Sequence, residues 1–224
     1  MRQIILDTET TGLDTRDGHR VIELGCIELV NRKPTGNHLH FYFNPDRLMD
    51  QGAMEVHGIT QEFLKDKPRF FEKSQEIMEF IKNAELIIHN ASFDLGFLNY
   101  ELSLLSSNSW GNIQAHAKIL DTLRLARDLH PGQRNSLDAL CKRYGVKNTH
   151  RQYHGALKDA QILAEVYLAM TGGQINLKLS AEEQARKGAM SMDEEKFTAI
   201  QRDFVLKIIK ANSEELARHE AFGE

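Results

Sequence analysis

Ile4-Ile5-Leu6-Asp7-Thr8-Glu9-Thr10-Thr11-Gly12-Leu13 is an apolar run that ends in two carboxylates and a glycine turn. Successive side chains of a strand point to opposite faces, so Asp7 and Glu9 share one face, one residue apart. Two like charges at the end of a buried strand repel each other and are costly to desolvate. They are tolerated when a cation sits between them, and a divalent metal ion is the obvious candidate. A solvated strand end is the other reading of this stretch alone.

The run opens a meander. Residues 20–30 alternate as a second strand, Asn31–Asn37 is turn chemistry, and His38–Pro45 reads as a third strand. Residues 46–72 are loop and short helix, including Val56-His57-Gly58-Ile59-Thr60. A helix is expected over about 72–83, then a buried strand over 85–89. That strand runs into Asn90-Ala91-Ser92-Phe93-Asp94, where the pattern turns helical. Asp94 at this junction would also suit the helix dipole, so a purely structural role competes with a chemical one. Ile119–Thr122 reads as another strand, with helices through Leu129 and over Ser136–Tyr144. Residues 154–159 lead into a helix over Ala160–Met170 that Gly172-Gly173 should stop. A meander followed by alternating helices and strands predicts an α/β domain with a mixed central sheet flanked by helices.

At 224 residues the chain has room for one well-cored domain of about 170–180 residues and an extension. With 41% hydrophobic and 27% charged residues it sits among soluble globular chains. No apolar run approaches the roughly 18 residues of a membrane span, and no secretory leader pattern opens the chain, so a cytoplasmic protein without a membrane partner is expected. Cys26 and Cys141 are too few and too scattered for a disulfide framework or zinc site and read as buried thiols. The net charge of −4 argues against nucleic acid as a partner. Against that, Arg124, Arg127, Arg134, Lys142, Arg143, Lys147, Arg151 and Lys158 face only Asp128 and Asp138 within residues 124–158. Such a patch fits phosphates and fits a solvated helical surface equally.

Four carboxylates, Asp7, Glu9, Asp94 and Asp159, are candidates for one site, with His154 beside them. Their charge balances two divalent cations, and a pair about 3.5–4 Å apart is the arrangement that serves phosphodiester hydrolysis. Oxygen-only ligands favour Mg²⁺ or Mn²⁺. An imidazole, with an intrinsic pKa of about 6.5, suits a base that takes a proton from water near neutral pH. His89 reads as a core or hydrogen-bonded histidine; His116, His130 and His150 read as surface residues, and Trp110 as isolated.

Asp7-x-Glu9-Thr10-Thr11-Gly12-Leu13, Asn90-x-x-Phe93-Asp94 and His154-x-x-x-x-Asp159 resemble the three motifs of the DEDD exonucleases, in the variety with a histidine in the third motif. His57-Gly58-Ile59-Thr60, residues 131–141 and residues 154–173 are similar to the branch formed by the epsilon subunits of bacterial DNA polymerase III. The resemblance covers about residues 1–179 closely and the rest loosely. It implies a ribonuclease H-like fold and 3′-to-5′ removal of nucleotides from a DNA 3′ end, single-stranded or frayed, in proofreading. It further implies that Asp7, Glu9, Asp94 and Asp159 hold the metals, Asp7 as the bridge, with His154 as catalytic base. Asp7, Glu9, Thr10, Leu13, His57, Asn90, Phe93 and Asp159 would then contact the terminal nucleotide. Where the family leads one to expect an acidic or polar residue before Val56-His57, this chain has Gln51-Gly52-Ala53, so Gly52 would contribute backbone only. A related exoribonuclease of the same fold is the alternative function.

The exonuclease domain is therefore expected over residues 1–173. Gln174-Ile175-Asn176-Leu177-Lys178-Leu179 resembles the hexapeptide with which bacterial replication proteins bind the sliding clamp, Gln174, Leu177 and Leu179 being the anchors. An ordinary linker with two leucines reads the same way. Residues 180–224 are expected to form a flexible tether and then a helical tail whose apolar positions, among them Phe197, Ile200, Phe204 and Ile208, need a partner surface. By resemblance that partner is the polymerase alpha subunit, and a small theta subunit would bind the catalytic domain.

Overall fold

The computed structural model describes residues 1–148 and 153–189, the last seventeen of them (173–189) by backbone alone. Strands β1 (Arg2–Thr10), β2 (Val21–Val30), β3 (Lys33–Tyr42), β4 (Glu85–Ile88) and β5 (Lys118–Asp121) form one sheet in the order β3-β2-β1-β4-β5. The first three pair antiparallel, and β4 and β5 add parallel to β1, so the sheet is mixed as expected. Helices α1 (Gln51–His57), α2 (Gln61–Leu64), α3 (Phe70–Ile81), α4 (Ala91–Ser103), α5 (Thr122–Leu129), α6 (Leu137–Tyr144) and α7 (Ala156–Ala189), with short 3-10 turns at Thr15–Asp17 and Ile113–Ala115, complete the described elements.

Alternation along β1 divides the core. Ile4 and Leu6, with Leu24, Cys26, Leu86 and Ile88, pack under Ile77, Met78 and Ile81 of α3 and Leu95, Leu98 and Leu102 of α4. On the other side Ile5, Leu29 and Ile87 meet Ala160, Leu163, Ala164 and Tyr167 of α7. Asp7 and Glu9 follow Ile5 in parity and face α7, whereas Thr8 follows Leu6 and faces α4. Each fully buried Ile or Leu here contributes about 1.5–3 kcal/mol, which holds both helices firmly against the sheet.

Two expectations change. The third strand starts at Lys33, five residues before His38, because Asn31 (φ 50°) and Arg32 (φ 65°) form a two-residue turn with both residues left-handed. That turn twists in the sense the hairpin needs, and Pro34 is tolerated because β3 is an edge strand. The last helix does not stop at Gly172-Gly173; it begins at Ala156 and continues to Ala189. A glycine inside a helix costs only about 1 kcal/mol relative to alanine, and the Leu, Lys, Ala and Glu residues that follow are good helix formers. Residues 174–179, expected to be extended, thus lie in the helix. The compact unit that contains the sheet spans Met1–Leu179, and a second unit begins at Ser180. His150, Arg151 and the apolar positions expected from Phe197 onward lie outside the described residues. Among the described residues no helix is long and apolar enough to cross a membrane.

Candidate active site

Asp7 lies opposite Gly25 in the β1–β2 register, and Glu9 lies opposite Glu23. A Cβ on Gly25 would fall 2.3 Å from the Leu157 nitrogen and 2.4 Å from the Ala156 carbonyl carbon. Only glycine, then, lets the first turn of α7 settle on β2 beside Asp7. That turn carries Asp159, 2% exposed, whose amide donates to the Gly155 carbonyl at 2.8 Å. His154 Nδ1 lies 3.3 Å from Asp159 Oδ2, with the imidazole side chain 43% exposed. Ligand atoms of Glu9, His154 and Asp159 all lie within 4.8 Å of one another, a spacing that can hold a metal ion. Asp7 and Asp94 stand outside that grouping.

Asp94 reaches the site from the other face of the sheet. It sits in the first turn of α4, is 3% exposed, and accepts a hydrogen bond from Thr8 Oγ1 at 2.7 Å. Burial pushes its pKa up to about 7, against the opposing pull of the Thr8 hydroxyl. The fully buried Cys26 thiol is pushed up by burial and then by the charges of Asp7 and Asp94, so both carboxylates act on the same patch of sheet. A carboxyl group neutral in the fold but ionised in the unfolded chain stabilises fully below its ordinary pKa, and that contribution is lost as pH rises through about 7. Asp94→Asn is therefore expected to raise the thermal midpoint of the metal-free protein in EDTA. The gap is small near pH 4, widens to about pH 7 and is constant above. A midpoint equal to or below that of the parent at pH 8 would contradict this account.

Beside the carboxylates lies a cleft of about 470 Å³ that brings together Glu9, Thr10, Leu13, Gly52, His57 and Phe93, all named from sequence. Asp50, Ala53 and Val56 complete its α1 wall. Gly52 is exposed and offers only backbone there, as anticipated. His57 Nδ1 accepts from the Ile59 amide at 3.0 Å, which puts the ring proton on Nε2. That Nε2 is buried and lies outside full hydrogen-bond geometry from the Thr10 backbone, which nonetheless pulls the ring's pKa up a little against the effects that lower it. Burial, and then the charge of His154, lower the pKa of His57, so the ring is a neutral donor. Asn90 does not line the cleft: it is an exposed residue with φ 67° at the start of α4, its amide bonded to Asp121 Oδ1. A larger groove of about 650 Å³, lined by Phe71, Leu104 and Trp110 among others, contains neither carboxylate nor histidine.

Three supporting groups escaped the sequence reading. Gly25 is one. The second is His19, 5% exposed, whose ring would lie 2.2 Å from a Cβ on Gly12. Thr11 Oγ1 accepts from the Arg20 amide at 3.0 Å and is hydrogen-bonded to His19 Nδ1 at 2.9 Å, while His19 Nε2 faces Asp50 Oδ2 at 3.3 Å. With the Asp50 amide on the Thr11 carbonyl at 2.9 Å, this chain of contacts fixes the start of α1 and with it the cleft wall. The third is Glu23, 2% exposed, whose Oε1 lies 2.7 Å from His40 Nε2. The alternation Glu23-Gly25-Ile27 against His38-His40-Tyr42 was the available signal for it.

Among the other histidines, His89 bonds Thr122 Oγ1 at 3.0 Å, as expected of a hydrogen-bonded residue. His116 and His130 are not surface residues: both are half-buried, bonded to the Trp110 carbonyl at 2.6 Å and to Tyr144 Oη at 2.7 Å. Trp110 packs edge-on against His116 and borders the core, so it is not isolated. Within the basic stretch Arg143 is structural, bonding Asn135 Oδ1 and the Arg134 carbonyl, while Arg124, Arg127, Arg134, Lys142 and Lys147 are exposed.

An exonuclease family model matches residues 4–167. The Escherichia coli K12 protein described as DNA polymerase III subunit epsilon is 49% identical over 98% of this chain and 91% of its own length. The structure titled exonuclease X in complex with 5′ overhanging duplex DNA superposes with a TM-score of 0.59 at 28% identity, covering 76% of this chain and 92% of that one. A 3′-exonuclease that recognises a histone mRNA stem-loop shares the fold at a TM-score of 0.62 and 16% identity, over 76% of this chain and 64% of that one. The fold is thus ribonuclease H-like, as the motifs implied.

Proposed function

Since this chain belongs to the exonuclease family and, within it, to the epsilon subunits of DNA polymerase III, we propose that it removes nucleotides from a DNA 3′ end to proofread synthesis. The observation that carries the reading is the grouping of Glu9, His154 and Asp159 within 4.8 Å at the edge of a nucleotide-sized cleft.

Asp7, Glu9, Asp94 and Asp159 would hold two divalent cations, Mg²⁺ or Mn²⁺, and the donor set fits: carboxylate oxygens suit these hard ions, and an imidazole suits softer ones. Bound there, such ions neutralise charge on the reacting phosphodiester and favour ionised water. His154 then serves as general base, oriented by Asp159 at 3.3 Å and open enough to pass its proton to solvent. His57, which lines the cleft, carries a neutral ring with its proton on Nε2, a donor that a nucleotide oxygen would satisfy. Leu13 and Phe93 offer apolar surface to base and sugar, Thr10 and Gly52 backbone contacts. Asp94, about half protonated near pH 7 without metal, would ionise fully when a cation arrives, so cation affinity rises with pH up to that range.

The polymerase alpha subunit, a theta subunit and the sliding clamp are the proposed partners, in the cytoplasm. Clamp binding by Gln174, Leu177 and Leu179 in extended form requires residues 174–179 to leave α7. The glycines at 172 and 173 make that inexpensive, at about 1 kcal/mol of helix stability each. A 5′-labelled single strand incubated with the protein and Mg²⁺ tests the direction of attack. A ladder shortening from the 3′ end, with circular single strands left intact, supports the reading. Cleavage of the circle would overturn it.

A further inference from the structure

The short helix α1 has two tasks in this fold. Gly52, Ala53, Val56 and His57 line the nucleotide cleft, and the C-terminal turn of the same helix, through Val56, also holds the segment that carries His154. The His154 amide donates to the Val56 carbonyl at 3.1 Å. Directly after the helix, Gly58 adopts φ 68° and donates its amide to the Met54 carbonyl, closing α1 in the left-handed conformation that favours glycine. Tyr153 lays its ring on the bare Cα of Gly58: a Cβ there would meet Tyr153 Cγ at 2.8 Å and Cδ1 at 2.9 Å. Yet Tyr153 is 52% exposed, so the ring is not there to fill the core.

We propose that Tyr153 is a positioning residue: its ring, seated on Gly58, and the Val56–His154 backbone bond fix His154 to the same helix that forms the wall of the nucleotide cleft. One element thereby sets both the nucleotide and the group that activates water. Gly58 serves twice, as the left-handed cap and as the flat seat for the ring. A displacement of about 1 Å in a reacting group can cost a hundredfold in rate, so a contact that only seats the neighbouring residue has leverage on turnover. The inference rests on His154 being the base, and its test separates the two.

The test compares Tyr153→Ala, Tyr153→Phe, His154→Ala and the Tyr153→Ala/His154→Ala pair on single-stranded DNA at saturating Mg²⁺. Tyr153→Ala is expected to lower kcat by about ten- to a hundredfold with KM within roughly twofold, and Tyr153→Phe, which keeps the ring, to restore it. In the His154→Ala background Tyr153→Ala should have no further effect, because the ring acts through His154 alone. Exchange of the His154 amide proton gives a readout independent of activity: protected in the parent, it should lose about tenfold of its protection in Tyr153→Ala. Unchanged protection would overturn the proposal even in an inactive protein. So would a rise in KM without a fall in kcat, which marks a direct nucleotide contact, or an equal loss of rate in the His154→Ala background. Loss of protection in Tyr153→Ala, with a parent protein that hydrolyses no DNA, would instead support the seat and refute the function.

Discussion

Asp159→Ala is expected to abolish DNA hydrolysis while leaving the fold in place. The residue is 2% exposed in the first turn of α7, one of three groups whose ligand atoms lie within 4.8 Å, and it lies 3.3 Å from His154. Its removal takes away a cation ligand and the partner of the base at once. The loss should therefore exceed the about 10²–10⁴-fold that a positioned base contributes alone. Stability should change little, since α7 is held by Ala160, Leu163, Ala164 and Tyr167 against the sheet. Steady-state release of deoxynucleotides, read beside thermal unfolding, checks both halves. Binding to the polymerase alpha subunit should be unchanged, because that contact is assigned to the residues beyond 180. An active Asp159→Ala protein, or one that loses alpha, would contradict the account.

His154→Ala should lower turnover by about 10²–10⁴-fold at saturating Mg²⁺. The position of this residue allows two roles, base or third ligand with Glu9 and Asp159, and the cation dependence separates them. If the imidazole takes the proton, the rate stays low however much Mg²⁺ is added, and the concentration giving half the maximal rate hardly moves. If it is a ligand, that concentration rises and excess cation restores the rate. A mild effect at every concentration would mean that another group activates the water.

The parts of this site legible in the sequence are those written in local pattern. Period-two alternation put Asp7 and Glu9 on one face, and three ordered motifs joined them to Asp94, His154 and Asp159. In the fold, ligand atoms of Glu9, His154 and Asp159 lie within 4.8 Å of one another. What was not legible depends on contacts between distant elements. A glycine in the middle of an alternating strand carries no local signal, and Gly25 acquires meaning only when α7 lies 2.3 Å from where its Cβ would be. His19 is a polar residue in a loop until Asp50, far along the chain, comes to face its Nε2. Tyr153 likewise reads as an exposed aromatic until Gly58 is placed under it. The turn expected over residues 31–37 is drawn too long for a different reason: it closes at Arg32, whose φ of 65° is a conformation that its residue type disfavours and the hairpin imposes. Gly172-Gly173 misled in the opposite sense, because two glycines weaken a helix without forbidding it.

The measurement that most directly tests the central claim is hydrolysis of a 3′-labelled single-stranded DNA with Mg²⁺ and with EDTA, beside an RNA of the same sequence. Cation-dependent release of deoxynucleotides, with RNA degraded much more slowly, is the predicted result. RNA trimmed faster than DNA would make this an exoribonuclease on the same fold, and hydrolysis that persists in EDTA would contradict the role given to the four carboxylates.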